Sequence, residues 1–171
     1  MRILTLTGLA TILPALTGAR PLALDDYYQW QTVSDPRVSA DGRLVAYALS
    51  TPDRDTDADV SSIWLIGRDG RNARQLSPAK SSERNPRWST DGRYLAFLSD
   101  RGKPNSEPQI WVVDCRSGDA VQRSRFTGSI SDFSWSPDDQ RIVFSGVETT
   151  VDDAVTGGKP LPIVIDRLQF K

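Results

Sequence analysis

Four alternating aspartates in the segment "DRDTDAD" are the first candidates for chemistry in this chain. They are Asp53, Asp55, Asp57 and Asp59. Alternating carboxylates could supply the oxygen ligands that Ca²⁺ prefers. A calcium loop, however, needs Gly at its sixth position and a carboxylate at its twelfth, and counted from Asp55 these are Val60 and Ile66. We therefore predict a solvated loop between the second and third strands of a sheet. The same interpretation applies to two adjacent pairs, Asp25/Asp26 and Asp152/Asp153.

Nucleophilic catalysis finds no support in the residues of this chain. The sequence contains no histidine, which excludes a Ser-His-Asp triad, a Cys-His pair and most zinc sites within it. The segment "GSISD" at Gly128 lacks the second glycine of a nucleophile elbow. Cys115, the only cysteine, lies in a turn and is interpreted as incidental. We predict no catalytic, cofactor-binding or metal-binding residue here, and no hydrolysis by these residues alone.

The tryptophans offer a second kind of chemistry, the stacking of sugars or bases. Four of the five fall at equivalent positions of an internal repeat. These four are Trp64, Trp88, Trp111 and Trp135. Equivalent placement favours packing between repeated units over a binding platform.

The repeat is a sequence motif that occurs three times in the chain. "DPRVSADGRLVAYALST" from Asp35 returns 50 residues later as "NPRWSTDGRYLAFLSDR" and, 47 residues after that, as the fainter "DFSWSPDDQRIVFSGV". A second phrase, "SIWLIGRDG", returns as "QIWVVDCRSG" at the same spacing of 47. A period of 40 to 50 residues is typical of solenoids and propellers.

Each repeat reads as four short strands joined by turns. In the second copy these are "PRWS", "YLAFLS" and "QIWVVD", followed by a weaker strand such as the "ARQLS" of the first copy. Asp91 can accept a hydrogen bond from the backbone two residues on, and Gly92 accepts the positive φ of a tight turn. Asp139 replaces that glycine in the third copy, so we expect a strained or differently shaped turn there.

The second strands, "LVAYAL", "YLAFL" and "RIVF", are nearly continuous apolar runs. Such runs indicate burial on both faces, as in a blade between two neighbouring blades. The windows lack the 3.6-residue period of a helical solenoid. The predicted fold is therefore all-β, a partial β-propeller of about three four-stranded antiparallel blades plus a short N-terminal helix in "LDDYYQWQTV". We expect Asp25 to cap this helix, Tyr27 and Trp30 to share one side, and the helix to pack against the first blade.

The chain divides into three predicted segments. Residues 1–23 have the layout of a secretory signal peptide, with one Arg before a charge-free run that ends in small residues. Cleavage is expected after Ala19 or Ala23, and the alternative is an uncleaved anchor. Residues 24–158 form the incomplete propeller, and residues 159–171 start a further blade. We predict a periplasmic or secreted protein. The net charge of −1 and the scattered Lys and Arg argue against nucleic acid as a partner.

Several of these phrases together resemble a known family. "LALDDYYQWQTVSDPRVSADGRLVAYALS", the two later blade phrases and the closing "KPLPIVIDRLQFK" are similar to the amino-terminal propeller of prolyl oligopeptidase family serine peptidases, in particular the exported acylaminoacyl-peptidase and dipeptidyl-peptidase-like branch. The blade phrase is shared with the TolB periplasmic propeller. The resemblance implies a propeller that restricts peptide access to an α/β-hydrolase domain, which would lie beyond Lys171. The dipeptidyl branch holds the substrate amino terminus with a pair of glutamates, and Glu148 stands alone here.

Three hypotheses follow for function. The first is the substrate-gating propeller of an exported serine peptidase, with the peptide acted on by a hydrolase domain outside this chain. The second is a non-enzymatic periplasmic propeller that binds protein partners. The third is self-association, because three blades are too few to close a ring and two copies would bring six. Open blade faces also predict poor solubility of a monomer.

Overall fold

Three antiparallel sheets follow one short helix along the chain. The computed structural model describes residues 20–76, 81–101 and 106–149, and the backbone of a strand at 163–165. Each of the first two sheets has four strands in chain order, and three strands form the third. The elements are α1 (Leu24–Tyr27); β1 (Thr32–Val38), β2 (Leu44–Asp53), β3 (Ala58–Gly67) and β4 (Arg74–Gln75); β5 (Glu83–Trp88), β6 (Tyr94–Ser99), β7 (Gln109–Asp114) and β8 (Ala120–Gln122); β9 (Gly128–Trp135), β10 (Ile142–Glu148) and β11 (Ile163–Ile165). The predicted all-β class and three-bladed partial propeller are confirmed.

The end of the third blade differs from the prediction. Residues 159–171 were expected to start a further blade, but β11 pairs with β10 in the third sheet, with Phe144 opposite Ile165. It is therefore the third strand of the third blade, reached by a longer connection than in the first two. The predicted signal peptide lies mostly outside the described residues, which begin at Arg20. In the described part of the chain, no helix has the length and apolarity needed to cross a membrane.

The middle blade is buried on both faces, as its continuous apolar run predicts. Leu95, Ala96, Phe97 and Leu98 of β6 are all fully buried. Alternate side chains of a strand point to opposite faces, so β6 contributes to two separate cores. Leu95 and Phe97 pack against the first blade, and Ala96 and Leu98 pack against the third. Stacking of the blades face to face therefore holds the molecule together.

The turns between the first two strands of each blade share one set of hydrogen bonds. In the second blade the Ser89 hydroxyl donates to the Asp91 carboxylate at 2.6 Å, and the Arg93 amide donates to the same oxygen at 2.9 Å. The hydroxyl is the larger cause of the lowered pKa of Asp91. Gly92 has φ +69°, as predicted. The third blade makes the equivalent bonds with Asp139 at φ +55°, so of the two expected alternatives the strained turn is found and the different shape is not.

Asp139 links the third blade to the second. Its carboxylate accepts hydrogen bonds from the amides of Thr90 at 2.6 Å and Asp91 at 3.0 Å. In the second blade the equivalent residue is Gly92, which has no side chain to reach the turn of the first blade. Aspartate in place of glycine is therefore stabilising in one respect. Its backbone is strained, but its side chain connects two blades.

Replacing Asp139 by alanine should lower the free energy of unfolding by about 1–2 kcal/mol, because two amides lose a charged acceptor at a partly exposed site. Asp139→Asn keeps a carbonyl acceptor and should lose about half of that. Urea denaturation followed by tryptophan fluorescence measures both changes. Asp119→Ala, at an exposed position in the loop before β8, is the control and should change little. Equal effects of Asp139→Ala and Asp119→Ala would show that the link contributes nothing.

Helix α1 is shorter than predicted and begins differently. Its N-cap is Ala23, and Asp26 accepts a hydrogen bond from the Ala23 amide at 2.8 Å. The expectation that Asp25 caps the helix is wrong, because Asp25 instead pairs with Arg54 of the first blade. Arg54 also lies 4.7 Å from the centroid of the Tyr28 ring. The helix thus contacts the turn between β2 and β3, mainly through charge.

Candidate functional site

The first strands of the three sheets lie side by side, β1 against β5 and β5 against β9, and form one edge of the stacked sheets, which we call the inner edge. β1 and β5 contain the same irregularity, a register shift at Asp35 and at Asn85, where φ is +48° and +56°. Each of these residues precedes a Pro-Arg pair. A bulge of this kind bends the strand and redirects the side chains that follow it. The two bulges carry Arg37 and Arg87 to equivalent positions on the inner edge.

Charged side chains connect the three inner strands into one network. Arg87 of β5 donates to Asp35 of β1 at 2.6 Å and lies 3.6 Å from Asp132 of β9. Asp35 also pairs with Arg37 at 2.6 Å. We call these four residues, Asp35, Arg37, Arg87 and Asp132, the inner-edge network. Arg87 and Asp35 are about three-quarters buried, whereas Arg37 and Asp132 are more exposed, with 46% and 64% of their side-chain surface accessible.

Two tryptophans fix the strands that carry the network. The indole of Trp88 donates to the carbonyl of Arg37 at 2.9 Å, and the indole of Trp135 donates to the carbonyl of Arg87 at 3.0 Å. Each bond joins one blade to the blade before it. The interpretation of these tryptophans as packing between blades is confirmed for both. Trp111 also packs between the first two blades, and Trp64 lies on a face of the first blade that no described blade covers.

A buried ion pair lies at the start of β5. Glu83 is fully buried, and one of its oxygens meets the Arg101 guanidinium at 2.5 Å. The other oxygen accepts the Ile63 amide of the first blade at 3.1 Å. The Arg101 guanidinium stacks on Trp111, 4.9 Å from the ring centroid. The pair therefore joins the first two blades and orders the start of the loop after β6.

A cleft of about 460 Å³ opens beside this pair, between the loop after β6 and the connection from β8 to β9. Its lining is polar and aromatic. The lining includes the cations Arg101 and Arg125, the carboxylates Asp100 and Glu107, the amides Gln109 and Gln122, and the aromatic rings Trp111 and Phe126. Guanidinium, amide and aromatic groups can bind a carboxylate, a peptide bond or a ring. The cleft therefore presents groups that could take part in recognition.

The alternating aspartates do not converge on a common point. Asp53 ends β2 and accepts hydrogen bonds from the amides of Asp55 at 2.9 Å and Thr56 at 3.0 Å. Asp59 lies in β3, so only Asp55 and Asp57 belong to the turn itself. Within the described residues, no group of three or more His, Cys, Asp and Glu could hold a metal ion. Asp152 and Asp153 lie outside the described residues, and Glu148 ends β10.

Cys115 lies at the end of β7 against the first core, and burial raises the pKa of its thiol from 9.0 to about 11. Only the thiolate is nucleophilic. We therefore expect alkylation of the folded protein by iodoacetamide at pH 8 to be about 100-fold slower than in urea, since the thiolate fraction falls tenfold per unit of pKa. Mass spectrometry over time measures both rates. Similar rates in the two states would contradict the assignment of Cys115 as a structural residue.

Sequence reasoning missed the inner-edge network and the buried Glu83. A signal for the network was present, because Arg37 and Arg87 are identical in the repeat and acids stand at Asp35 and Asp132. Glu83 had no such signal. Its equivalents are Val33 and Ile130, which suggest an apolar position.

Comparisons with known proteins agree with this architecture. Residues 28–156 match the family described as the TolB beta propeller domain. The chain is 29% identical over 135 residues to the uncharacterized peptidase YuxL of Bacillus subtilis, covering 77% of this chain and 20% of that protein. It is 32% identical over 113 residues to dipeptidyl-peptidase 5 of Porphyromonas gingivalis, covering 66% and 16%. The chain thus spans about a fifth or less of the length of these relatives.

A solved structure shows the same fold. The acylaminoacyl peptidase of Pyrococcus horikoshii superposes with a TM-score of 0.63 at 24% identity, over 84% of this chain and 22% of that chain. At this level of identity the likeness concerns the fold alone. The part of the peptidase that matches is again small, as it is for the sequence relatives.

Proposed function

This chain belongs to the TolB beta propeller domain family, and we propose that it is the substrate-gating propeller portion of an exported serine peptidase. In this proposal the peptide is recognised and admitted by the propeller, and a hydrolase domain outside these residues cleaves it. The chain itself is not catalytic. The leader-like residues 1–23 support export to the periplasm or the medium.

The proposal depends on two facts about the relatives: they are named as peptidases, and only a small fraction of their length aligns with this chain. Two relatives named as peptidases align with most of this chain over no more than a fifth of their own length. A match of this length is expected if this chain corresponds to the propeller portion of a larger enzyme. Fold likeness alone would not carry the assignment, since propellers serve unrelated functions.

The cleft beside Glu83 and Arg101 supports peptide recognition. Arg101 and Arg125 can pair with a carboxylate, and Gln109 and Gln122 can pair with backbone amides. Arg101 is held by Glu83 and by stacking on Trp111, so it would meet a ligand in one orientation. A pre-ordered guanidinium loses less entropy on binding than a free one.

A non-enzymatic role is the second candidate, and the family name TolB favours it. In that case the propeller binds a protein partner and no hydrolase domain accompanies it. Both candidates use the same cleft and inner edge. They differ in whether a reactive serine belongs to the same polypeptide.

The test is to isolate the native protein with antibodies raised against this propeller and to treat it with a fluorophosphonate, which labels activated serines. The expected result is a labelled polypeptide much longer than 171 residues. A heat-denatured sample is the control, because labelling needs the folded triad. A captured polypeptide that stays unlabelled when native would overturn the peptidase assignment and favour the partner-binding role.

A further inference from the structure

The cleft beside the buried ion pair contains both signs of charge, and two of its four charged side chains are already bound within the protein. Arg101 pairs with Glu83. The Asp100 carboxylate accepts a hydrogen bond from the Ser82 amide at 2.8 Å. These contacts hold the wall formed by the end of β6 and the loop after it, and Glu83 balances the charge of Arg101. Recognition of a charged ligand therefore depends mainly on the other two side chains.

These two are Glu107 and Arg125, and both are exposed. Among the residues that the structure describes, neither side chain takes part in an ion pair or a hydrogen bond. Glu107 lies in the loop before β7, and Arg125 lies in the connection from β8 to β9. The cleft thus presents one unpaired anion and one unpaired cation, and they belong to different walls.

The wall that carries Arg125 is fixed by hydrogen bonds on both sides of this residue. Gln109 Oε1 accepts the Ser124 hydroxyl at 2.8 Å and the Phe126 amide at 2.9 Å, and Gln109 Nε2 donates to the Phe126 carbonyl at 3.0 Å. Ser124 Oγ also accepts the Ile110 amide of β7 at 2.7 Å. The backbone of Arg125 is therefore held in place while its side chain stays exposed. A pre-ordered wall lowers the entropy cost of binding.

Aromatic rings and the size of the cleft indicate what lies between the two charges. Trp111 and Phe126 line the cleft, and its volume is about 460 Å³. Sites for small ligands usually measure about 300–1,000 Å³. A ligand that pairs with both charges must carry a carboxylate and an ammonium group, and a short peptide with free ends carries both.

We propose that this cleft binds a short peptide with both ends free. Its carboxylate pairs with Arg125, its ammonium group pairs with Glu107, and its apolar side chains contact Trp111 and Phe126. The inference rests on the peptide recognition in the proposed function, and it identifies the free ends as the recognised feature. An internal segment of a protein carries neither terminal charge, so the cleft favours short peptides over intact proteins.

The test measures binding of the tripeptide Phe-Ala-Phe to the complete polypeptide that contains this propeller. Prior treatment with a fluorophosphonate prevents hydrolysis during isothermal titration calorimetry. Acetylation of the amino terminus or amidation of the carboxyl terminus should each raise the dissociation constant about tenfold, because each leaves one charge of the cleft unpaired. The doubly blocked tripeptide should bind most weakly. No binding of the free tripeptide, or equal affinity for all four forms, would overturn the proposal.

Charge exchange shows whether binding occurs in this cleft. Arg125→Glu and Glu107→Arg should each raise the dissociation constant of the free tripeptide at least about tenfold, because each sets a like charge against one end of the ligand. The double variant exchanges the charges of the two walls and should bind within about threefold of wild type, since coupled changes need not add. The tripeptide has the same side chain at both ends and can bind in the opposite direction. Losses that add in the double variant would contradict the proposal.

The control variant is Arg71→Gln, in the loop before β4, which should bind like wild type. All the substituted positions are exposed, so circular dichroism should show an unchanged fold. Failure of this inference differs from failure of the proposed function. A polypeptide that is labelled at serine but does not bind the tripeptide overturns this inference alone. An unlabelled polypeptide that binds it as expected overturns the peptidase assignment and supports the assignment of the cleft.

Discussion

Replacing Glu83 by alanine is expected to lower the free energy of unfolding by about 3–5 kcal/mol, because it leaves the Arg101 charge without its partner at a mostly buried position beside the cleft. Glu83 is fully buried, and only 18% of the Arg101 side-chain surface is accessible. The same change removes the acceptor of the Ile63 amide. Guanidinium denaturation gives the loss directly.

A matched set of variants separates the charge from the packing. Glu83→Gln keeps the shape and one acceptor, so it should cost less than alanine. The double variant Glu83→Leu, Arg101→Met should be more stable than Glu83→Ala, because apolar residues of similar volume leave no buried charge. The single variants Glu83→Leu and Arg101→Met complete the comparison. If the double variant lost as much stability as these two losses added together, the pair would not be coupled, and the explanation through an orphaned charge would fail.

The same site shows why part of this structure could be predicted and part could not. The apolar runs of the second strands and the Asp-Gly turns are local patterns, and they predicted the blades and the turn bonds of Asp91. The buried charge is not local. Glu83 and Arg101 are 18 residues apart, and the equivalents of Glu83 in the repeat are apolar, so only the packing of the first two blades brings the partners together.

Two other departures from the sequence-based expectations have similar causes. The strand at Ile163–Ile165 was assigned to a further blade because it follows the polar, Gly-containing connection "VETTVDDAVTGGKP". Its pairing with β10 places it in the third blade instead. Asp139 was expected to give a strained or differently shaped turn. The strain is present at φ +55°, but the turn keeps its shape and the carboxylate accepts two amide hydrogen bonds from the second blade. Both outcomes depend on contacts between segments, which a single repeat does not reveal.

Replacing Gly128 by alanine is expected to destabilise the protein by about 4 kcal/mol, since it combines an unfavourable φ with a clash that the backbone cannot relieve. Gly128 begins β9 at φ +148°. An added Cβ would overlap the carbonyl oxygen of Val147 and lie 2.8 Å from the Cα of Glu148, the residue paired with Gly128 across the strands. These are backbone atoms of the neighbouring strand, so β9 and β10 would have to separate.

Gly118→Ala is the matched control for this prediction. Gly118 also has positive φ, +87°, but a Cβ there would meet nothing within 4 Å. Its cost should therefore be the backbone strain alone, about 1 kcal/mol. Hydrogen exchange should show faster exchange in β9 and β10 for Gly128→Ala and no change in these strands for Gly118→Ala. Residues of β9 and β10 pack against Ile110 and Val112 of β7. Loosening β9 and β10 should therefore also raise the rate of amide exchange in β7. Equal destabilisation by the two variants would mean that the close approach of β9 to β10 does not hold the third blade in place.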